Sequence, residues 1–351
     1  MPKVSVIVPN YNHAAYLRQR IQSVLDQTFQ DFDLTYLDDA SCDDSNAVFA
    51  EFVGESSLKE NHHPRIKAIY NDLNSGSPFK QWNKGFRSTE GEYVWIAESD
   101  DVAAPNFLAT LVPILDKNPD VGLAYCQSCQ IDTNNVVVNQ SMDLWLKDLS
   151  PDRWTRDFVT NGKVECQKYL ISKNTIPNAS AVLIRRSVYE AIGGAEERLS
   201  LAGDWMTWIR ILLKSDIAFC SQILNSFRTH KSSVRSRSVL DGTEIYECLV
   251  IRQDLMKNVS VLPETLAKIQ EELIVSWVNL ILDPESIVDI QARIKFYQLA
   301  KANTPNLESI ICKQVALHAK KWLVVKIKPW LPESVIKLLK KIKQSLFKVY
   351  V

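Results

Sequence analysis

Apolar runs of strand length alternate with helix-spaced apolar positions four times in the first 120 residues. Lys3-Val4-Ser5-Val6-Ile7-Val8 is a β-branched run that stops at Pro9-Asn10, which predicts a buried first strand ending in a turn. Leu17, Ile21, Val24 and Leu25 then recur at helical spacing, so one helix face packs on the sheet. Leu34 to Leu37 reads as a second strand running into Asp38-Asp39-Ala40-Ser41-Cys42-Asp43-Asp44, with the next helix starting in the acidic end of that turn. Ile66 to Tyr70 is a third strand, closed by the Asn- and Gly-rich loop Asn71 to Gly76. A short helix through Trp82 and Phe86, a strand over 93–97 and a helix from about Asn106 to Lys117 follow. Such alternation predicts an α/β fold with a mostly parallel sheet flanked by helices, in which ligands bind beyond the carboxyl ends of the strands.

Past Val121 to Gln130 the pattern loosens, and the Trp- and Asp-rich stretch 143–162 reads as a loop over the sheet edge. Ala179 to Ile184 resumes as a strand, and Ser187 to Ile192 as a helical turn stopped by Gly193-Gly194. Gly203-Asp204-Trp205 opens a helix through Ile209, Leu212 and Leu213. After a strand at Ile217 to Phe219, Ser226 to Lys231 is expected to be a polar, basic loop. From about Ile245 the character is helical, which sets a boundary near 235–245: an α/β domain over 1–240 and a helical region over 241–351.

Composition is that of an ordinary globular chain, 46% apolar and 23% charged, but the zero net charge hides an asymmetry. Residues 313–351 hold ten Lys against the single acid Glu333, leaving 31 basic and 40 acidic residues in the rest. Over 333–348 the apolar side chains share one helical face and most lysines the other, a pattern that suits either an anionic bilayer interface or the acidic surface of the body. The tail has few interleaved aromatics, and the strand-end turns are acidic, which argues against a nucleic-acid partner. Seven cysteines with no secretory signal ahead of Val4 suit reduced thiols, so a cytoplasmic location is expected, or a peripheral one on the inner face of the membrane. No apolar run approaches the ~20 residues of a spanning helix.

The candidate chemistry centres on Glu98-Ser99-Asp100-Asp101, directly after the apolar run Tyr93 to Ala97. Adjacent carboxylates repel and are costly to bury, so this placement calls for a cation or a set of hydroxyl donors opposite them. Asp38-Asp39 ends another strand, and two acidic pairs on one sheet edge suggest a site where one pair would suggest a helix cap. Asp101, with Asp100 beside it, is the candidate holder of Mg²⁺ or Mn²⁺ against phosphoryl oxygens. Tyr11 can stack on a nucleobase whose N3–H Asp39 accepts. Asp204, at a helix start that favours its anion, can act as general base toward an acceptor hydroxyl.

These motifs in order resemble those of the family 2 inverting glycosyltransferases, which have the GT-A (Rossmann-like) fold. The resemblance rests on Lys3 to Asn12, Gln27-Thr28-Phe29, the Asp38-Asp39 turn, Glu98-Ser99-Asp100-Asp101 and Gly203-Asp204-Trp205, and covers roughly residues 3–235. It implies a nucleotide-sugar donor, UDP- or dTDP-linked, bound by Pro9, Tyr11, Asp39, Asn71 and Asp100, a metal on Asp101 and Asp204 as catalytic base. Phe227-Arg228-Thr229-His230 is similar to the family's Tyr-Arg-x-His, whose His reaches the metal or diphosphate, so His230 joins the expected metal set. It further implies a saccharide or lipid-linked saccharide acceptor, inversion at the transferred sugar, and a setting in bacterial surface-polysaccharide or lipopolysaccharide synthesis. Glu98, Trp82 and Met206 depart from the family pattern. A nucleotidyltransferase is disfavoured, because the turn Pro9 to His13 lacks the Gly and basic residues that grip a triphosphate; a nucleotide-sugar-binding subunit without catalysis would not need Asp204.

Overall fold

The computed structural model describes residues 1–56, 65–230 and 241–327. It divides into two compact units, one formed by Met1–Val239 with Tyr246–Val261 and the other by Leu240–Ile245 with Leu262–Val351. The stretch 333–348 and residues 235–240 of the expected boundary 235–245 lie outside the described residues.

The first unit is a single mixed sheet. Its strands are β1 (Val4–Asn10), β2 (Phe32–Asp38), β3 (Ile66–Tyr70), β4 (Tyr93–Ile96), β5 (Val102–Ala103), β6 (Val121–Ile131), β7 (Val137–Asn139), β8 (Phe158–Thr160), β9 (Val182–Arg185) and β10 (Asp216–Arg228). The order is β3-β2-β1-β4-β9-β6-β10-β5, with β7 on β6 and β8 on β10. β3, β2, β1 and β4 are parallel, β9 runs antiparallel to both β4 and β6, and β10 runs parallel to β6. The ends of β1, β2, β4 and β10 therefore open on the same edge, as the strand-end motifs require.

Every residue of β1 is buried, because helices cover both faces of the sheet and leave no polar side to the strand. On one face α1 (Ala14–Leu25) sends Leu17, Ile21 and Val24 into a core with Val4, Val6 and Val8, joined by Phe107, Leu108 and Leu111 of α4 (Phe107–Lys117). Phe49 of α2 (Ser45–Ser56) stacks on Tyr36 of β2, with 4.1 Å between ring centroids. On the other face α3 (Pro78–Arg87) presses against β1 through Gly85, where an added Cβ would lie 2.5 Å from Ile7 Cγ2.

Between β7 and β8 lies the short helix α5 (Asp143–Leu146), and α6 (Gly162–Glu165) follows β8. The 143–162 stretch is thus partly ordered into short elements and is not one loop. Ala179–Ala181 forms a 3-10 turn, so the strand expected from Ala179 begins at Val182. α7 (Arg186–Ala191) ends at Gly193 and Gly194, both at positive φ, and α8 (Gly203–Leu212) precedes β10. The expected loop at Ser226 to Arg228 is instead the end of a 13-residue strand, paired with Cys129–Ile131. A polar strand end is stable there because the Arg228 guanidinium finds four acceptors inside the fold.

The second unit contains the helices Pro263–Ile281, Ile290–Lys301 and Leu307–Ile327. Trp277 stacks on Phe296 at 4.0 Å in its core. No helix of the described residues is long and apolar enough to cross a membrane.

The close seating of α3 on β1 leaves no room at Gly85. Gly85→Val should lower the urea midpoint by the equivalent of about 1–3 kcal/mol through overpacking; an unchanged midpoint would show that α3 can lift off the strand at no cost.

Candidate active site

The loops after β1 and β2 are tied together before they reach solvent. Buried Asn10 donates through Nδ2 to Tyr36 Oη, Asp38 Oδ1 and Ser41 Oγ, all at 3.1 Å, and Asp38 Oδ2 accepts from Ser41 N (2.9 Å). Asn12 N donates to Ser41 Oγ (2.9 Å), and Asn12 Oδ1 accepts from Cys42 N (2.8 Å). This clip holds Asn12 and Ala40 at φ of 57° and 61°, a left-handed conformation that is unusual for Ala. The twist at Ala40 follows directly on Asp39.

Asp39 is 5% exposed and enters a dense set of donors. Its Oδ1 accepts from Asn71 Nδ2 (2.6 Å), Ser75 N (2.9 Å) and Gln81 Nε2 (2.8 Å), and its Oδ2 from Ser75 Oγ (2.7 Å). Asn71 in turn accepts from the Lys84 ammonium. Tyr11, at the tip of the first loop, is 46% exposed, whereas Pro9 is buried within β1 in register with Leu37.

The three acids after β4 point to three different environments. Glu98 Oε1 accepts from Trp82 Nε1 (2.8 Å), and burial together with the Asp100 charge pushes its carboxyl up to about 8. Asp101, expected from the sequence to hold the metal, is 2% exposed and turned inward: Oδ1 accepts from Arg228 N (2.8 Å), and Oδ2 lies 3.9 Å from Arg20 NH2. Burial and the Asp100 charge raise it as well. Asp100 is the acid that turns toward the open side, with Oδ2 3.0 Å from His230 Nε2. Burial works to raise Asp100, but the His230 hydrogen bond and the two nearby imidazoles bring it below the usual carboxylate range.

His13, Asp100 and His230 each offer a ligand atom within 4.8 Å of the other two, a set that can hold a metal ion. The His13 and His230 rings meet edge to face at 5.4 Å, and His13 Nδ1 lies 2.8 Å from Ser99 Oγ. Desolvation lowers the His13 pKa, an effect that Asp100 opposes and His230 reinforces, and the neutral imidazole is the form that ligates a metal. Asp101 does not enter this set, because its carboxylate is engaged by the Arg228 backbone behind the turn.

Below the acids lie two buried cations. Arg20 is 0% exposed; its Nε donates to Glu98 O (2.7 Å), and its guanidinium lies 5.7 Å from the Trp95 ring. Burial lowers its pKa, and Asp101, Asp100 and Glu98 counter that effect. Arg228 donates to Asp100 O, Asp132 O, Gln19 Oε1 and Asn135 Oδ1, all within 2.7–2.9 Å.

Asp204 sits in the first turn of α8, where Oδ1 accepts from Trp205 N (2.6 Å) and Oδ2 from Asn174 Nδ2 (3.0 Å). The turn before it is held by Glu247, on the helix Thr243–Met256. Glu247 is buried, and its two oxygens accept from the backbone N–H groups of Ser200, Leu201 and Ala202 and from Ser200 Oγ. α3 links this turn to the acids: Phe79 packs on Gly203, and Trp82 meets Trp208 of α8 at 5.8 Å while donating to Glu98.

His13, Ser75, Gln81, Asn174 and Glu247 carry parts of this arrangement that the sequence reading did not assign. His13 had a signal, since it follows the first strand end at the same edge as Tyr11. Ser75 and Gln81 sit beyond the third strand, and nothing in local pattern aims them at Asp39.

The description of the glycosyl transferase family 2 matches residues 5–193, more than half of the chain. An uncharacterized glycosyltransferase of Nostoc sp. is 30% identical over 228 residues, which cover 65% of this chain and 62% of the relative. S. aureus TarS in complex with UDP-GlcNAc has a similar fold, with a TM-score of 0.63 over 90% of this chain and 88% of that one at 17% identity. Mannosyltransferase PcManGT from Pyrobaculum calidifontis, in complex with GDP-Man and Mn²⁺, gives a TM-score of 0.58 over 92% and 87% at 14% identity. The matched segment contains β1, β2 and β4 with their acidic turns, and the GT-A type of fold extends through β10: the chain belongs to glycosyl transferase family 2.

Proposed function

We propose that this chain is an inverting glycosyltransferase that moves a sugar from a UDP- or dTDP-linked donor to a hydroxyl of a saccharide or lipid-linked saccharide, in the synthesis of bacterial surface polysaccharide. The observation that carries the proposal is the grouping, on one sheet edge, of a buried base-reading acid, a His–Asp–His set and a carboxylate at a helix start. In this reading Tyr11 stacks on the pyrimidine and Asp39 accepts its N3–H through Oδ2, which takes one donor, Ser75 Oγ, among the described residues. Asn71 acts by orienting Asp39, and Pro9 by shaping the strand end.

Asp100 and His230, with His13, are the proposed metal ligands, and Asp101 is proposed as the acid that fixes the turn. Two imidazoles beside one carboxylate suit Mn²⁺ better than Mg²⁺, which prefers an all-oxygen shell. A divalent cation bound there supplies charge neutralisation at the leaving diphosphate. Asp204, held by Asn174 and stabilised as the anion by the α8 N-terminus, takes the proton of the acceptor hydroxyl. That oxygen forms its bond to the anomeric carbon as the bond to the diphosphate oxygen breaks on the opposite side, so the configuration inverts. We also propose that the lysines of 333–348, which lie outside the described residues, meet an anionic membrane surface, on the strength of the one-sided charge that their sequence spacing predicts.

UDP should bind far more tightly in Mn²⁺ than in EDTA by calorimetry, and His230→Ala or Asp100→Asn should remove most of that difference; equal affinity with and without metal would take the metal out of the donor site. Asp204→Asn should reduce turnover by about 10²-fold or more while leaving UDP affinity unchanged. An unimpaired rate returns Asp204 to a capping role. Reversing the charge of Lys340, Lys341 and Lys343 in the full chain should weaken flotation with phosphatidylserine vesicles by at least about 10²-fold, at roughly 1 kcal/mol per lysine lost, and unchanged flotation would refute the membrane assignment.

A further inference from the structure

Trp145 is a large aromatic side chain kept in water and yet fixed in place. It lies in α5, and 43% of its surface is exposed. Its indole Nε1–H donates to the carbonyl of Asn174 (3.3 Å), and the side chain of the same Asn174 donates to Asp204 Oδ2 (3.0 Å). Lys173 places its ammonium 4.7 Å from the indole centroid while donating to Trp145 O (2.9 Å) and Asp148 Oδ1 (2.7 Å). The helix itself is anchored on β6: buried Gln127 donates through Nε2 to Asp143 Oδ1 (2.5 Å) and accepts from Met142 N (3.2 Å).

A single exposed apolar side chain is ordinary on a protein surface. Trp145 differs in two respects. Its indole N–H and its ring are each held by a separate contact, so a ligand that stacks on it loses little side-chain entropy in doing so. It is also one residue removed from Asp204, through an asparagine that contacts both. A pyranose has the complementary shape: a face of axial C–H groups that packs on an aromatic ring, and hydroxyls that project around the rim toward polar partners.

We infer that Trp145 is the stacking platform for the acceptor sugar, a pyranose laid with its C–H face on the indole so that a rim hydroxyl reaches Asp204. This subsite rests on the reading of Asp204 as the base, and it requires an acceptor whose terminal residue has an uninterrupted axial C–H face, as β-gluco-configured sugars have. Lys173 and Asn174 are its positioning residues.

The test uses the full chain with UDP and Mn²⁺ present and methyl β-D-glucopyranoside as probe in saturation-transfer NMR. Wild type should transfer saturation to H1, H3 and H5, W145A should lose at least tenfold of that signal, and W145F should keep most of it, with calorimetric UDP affinity the same in all three. No transfer in the wild type, or equal transfer in W145A, overturns the platform. If UDP fails to bind while the glycoside signal still depends on Trp145, the donor reading falls and the platform stands. If UDP binds and the glycoside signal ignores Trp145, the platform alone falls.

Discussion

Three carboxylates within four residues can share one strand end here because two guanidinium groups are buried beneath them. Arg20 rises from α1 with no exposed surface and has no hydrogen-bond partner for its terminal nitrogens among the described residues. Such a group would be costly alone, and it is tolerated because Glu98, Asp100 and Asp101 surround it. Arg228 solves the same problem from the other side, through directed hydrogen bonds to the backbone of the acid turn and to α1. Removing either cation would leave buried negative charge uncompensated, so the packing of α1 and the end of β10 are set by the acids they serve.

The same burial divides the acids by role. Glu98 reaches the Trp82 indole and is pushed toward its neutral form. Asp101 accepts a backbone N–H, and only Asp100 turns out toward the imidazoles. Trp82 and Glu98, both departures from the family pattern, are thus a matched pair: the indole N–H gives the longer acid a partner away from His13 and His230.

Much of this was legible in the chain. β-branched runs and helical spacing identify β1 to β4 and α1 to α4, and the acidic turns at strand ends mark the working edge. The side on which each acid of a tight turn emerges was not legible, because a turn lacks the fixed period that aims side chains along a strand or helix. The identity of the outward acid depends on His13 and His230, more than 200 residues apart in sequence. The strand character of Ser226 to Arg228 was hidden for a related reason: a polar strand end looks like a loop until the partners that satisfy it are known.

The family match ends at residue 193, and the last motif quoted for it ends at His230, yet the turn that presents Asp204 hangs from a carboxylate at residue 247. During synthesis, the amides of Ser200 to Ala202 therefore wait for almost fifty more residues before they acquire their buried acceptor. A gene fragment trimmed to the recognisable motifs would keep every group that touches substrate in the proposed reaction and lack the one that sets the aim of its base. The boundary of the working unit is drawn by a hydrogen-bonded carboxylate that takes no part in the chemistry.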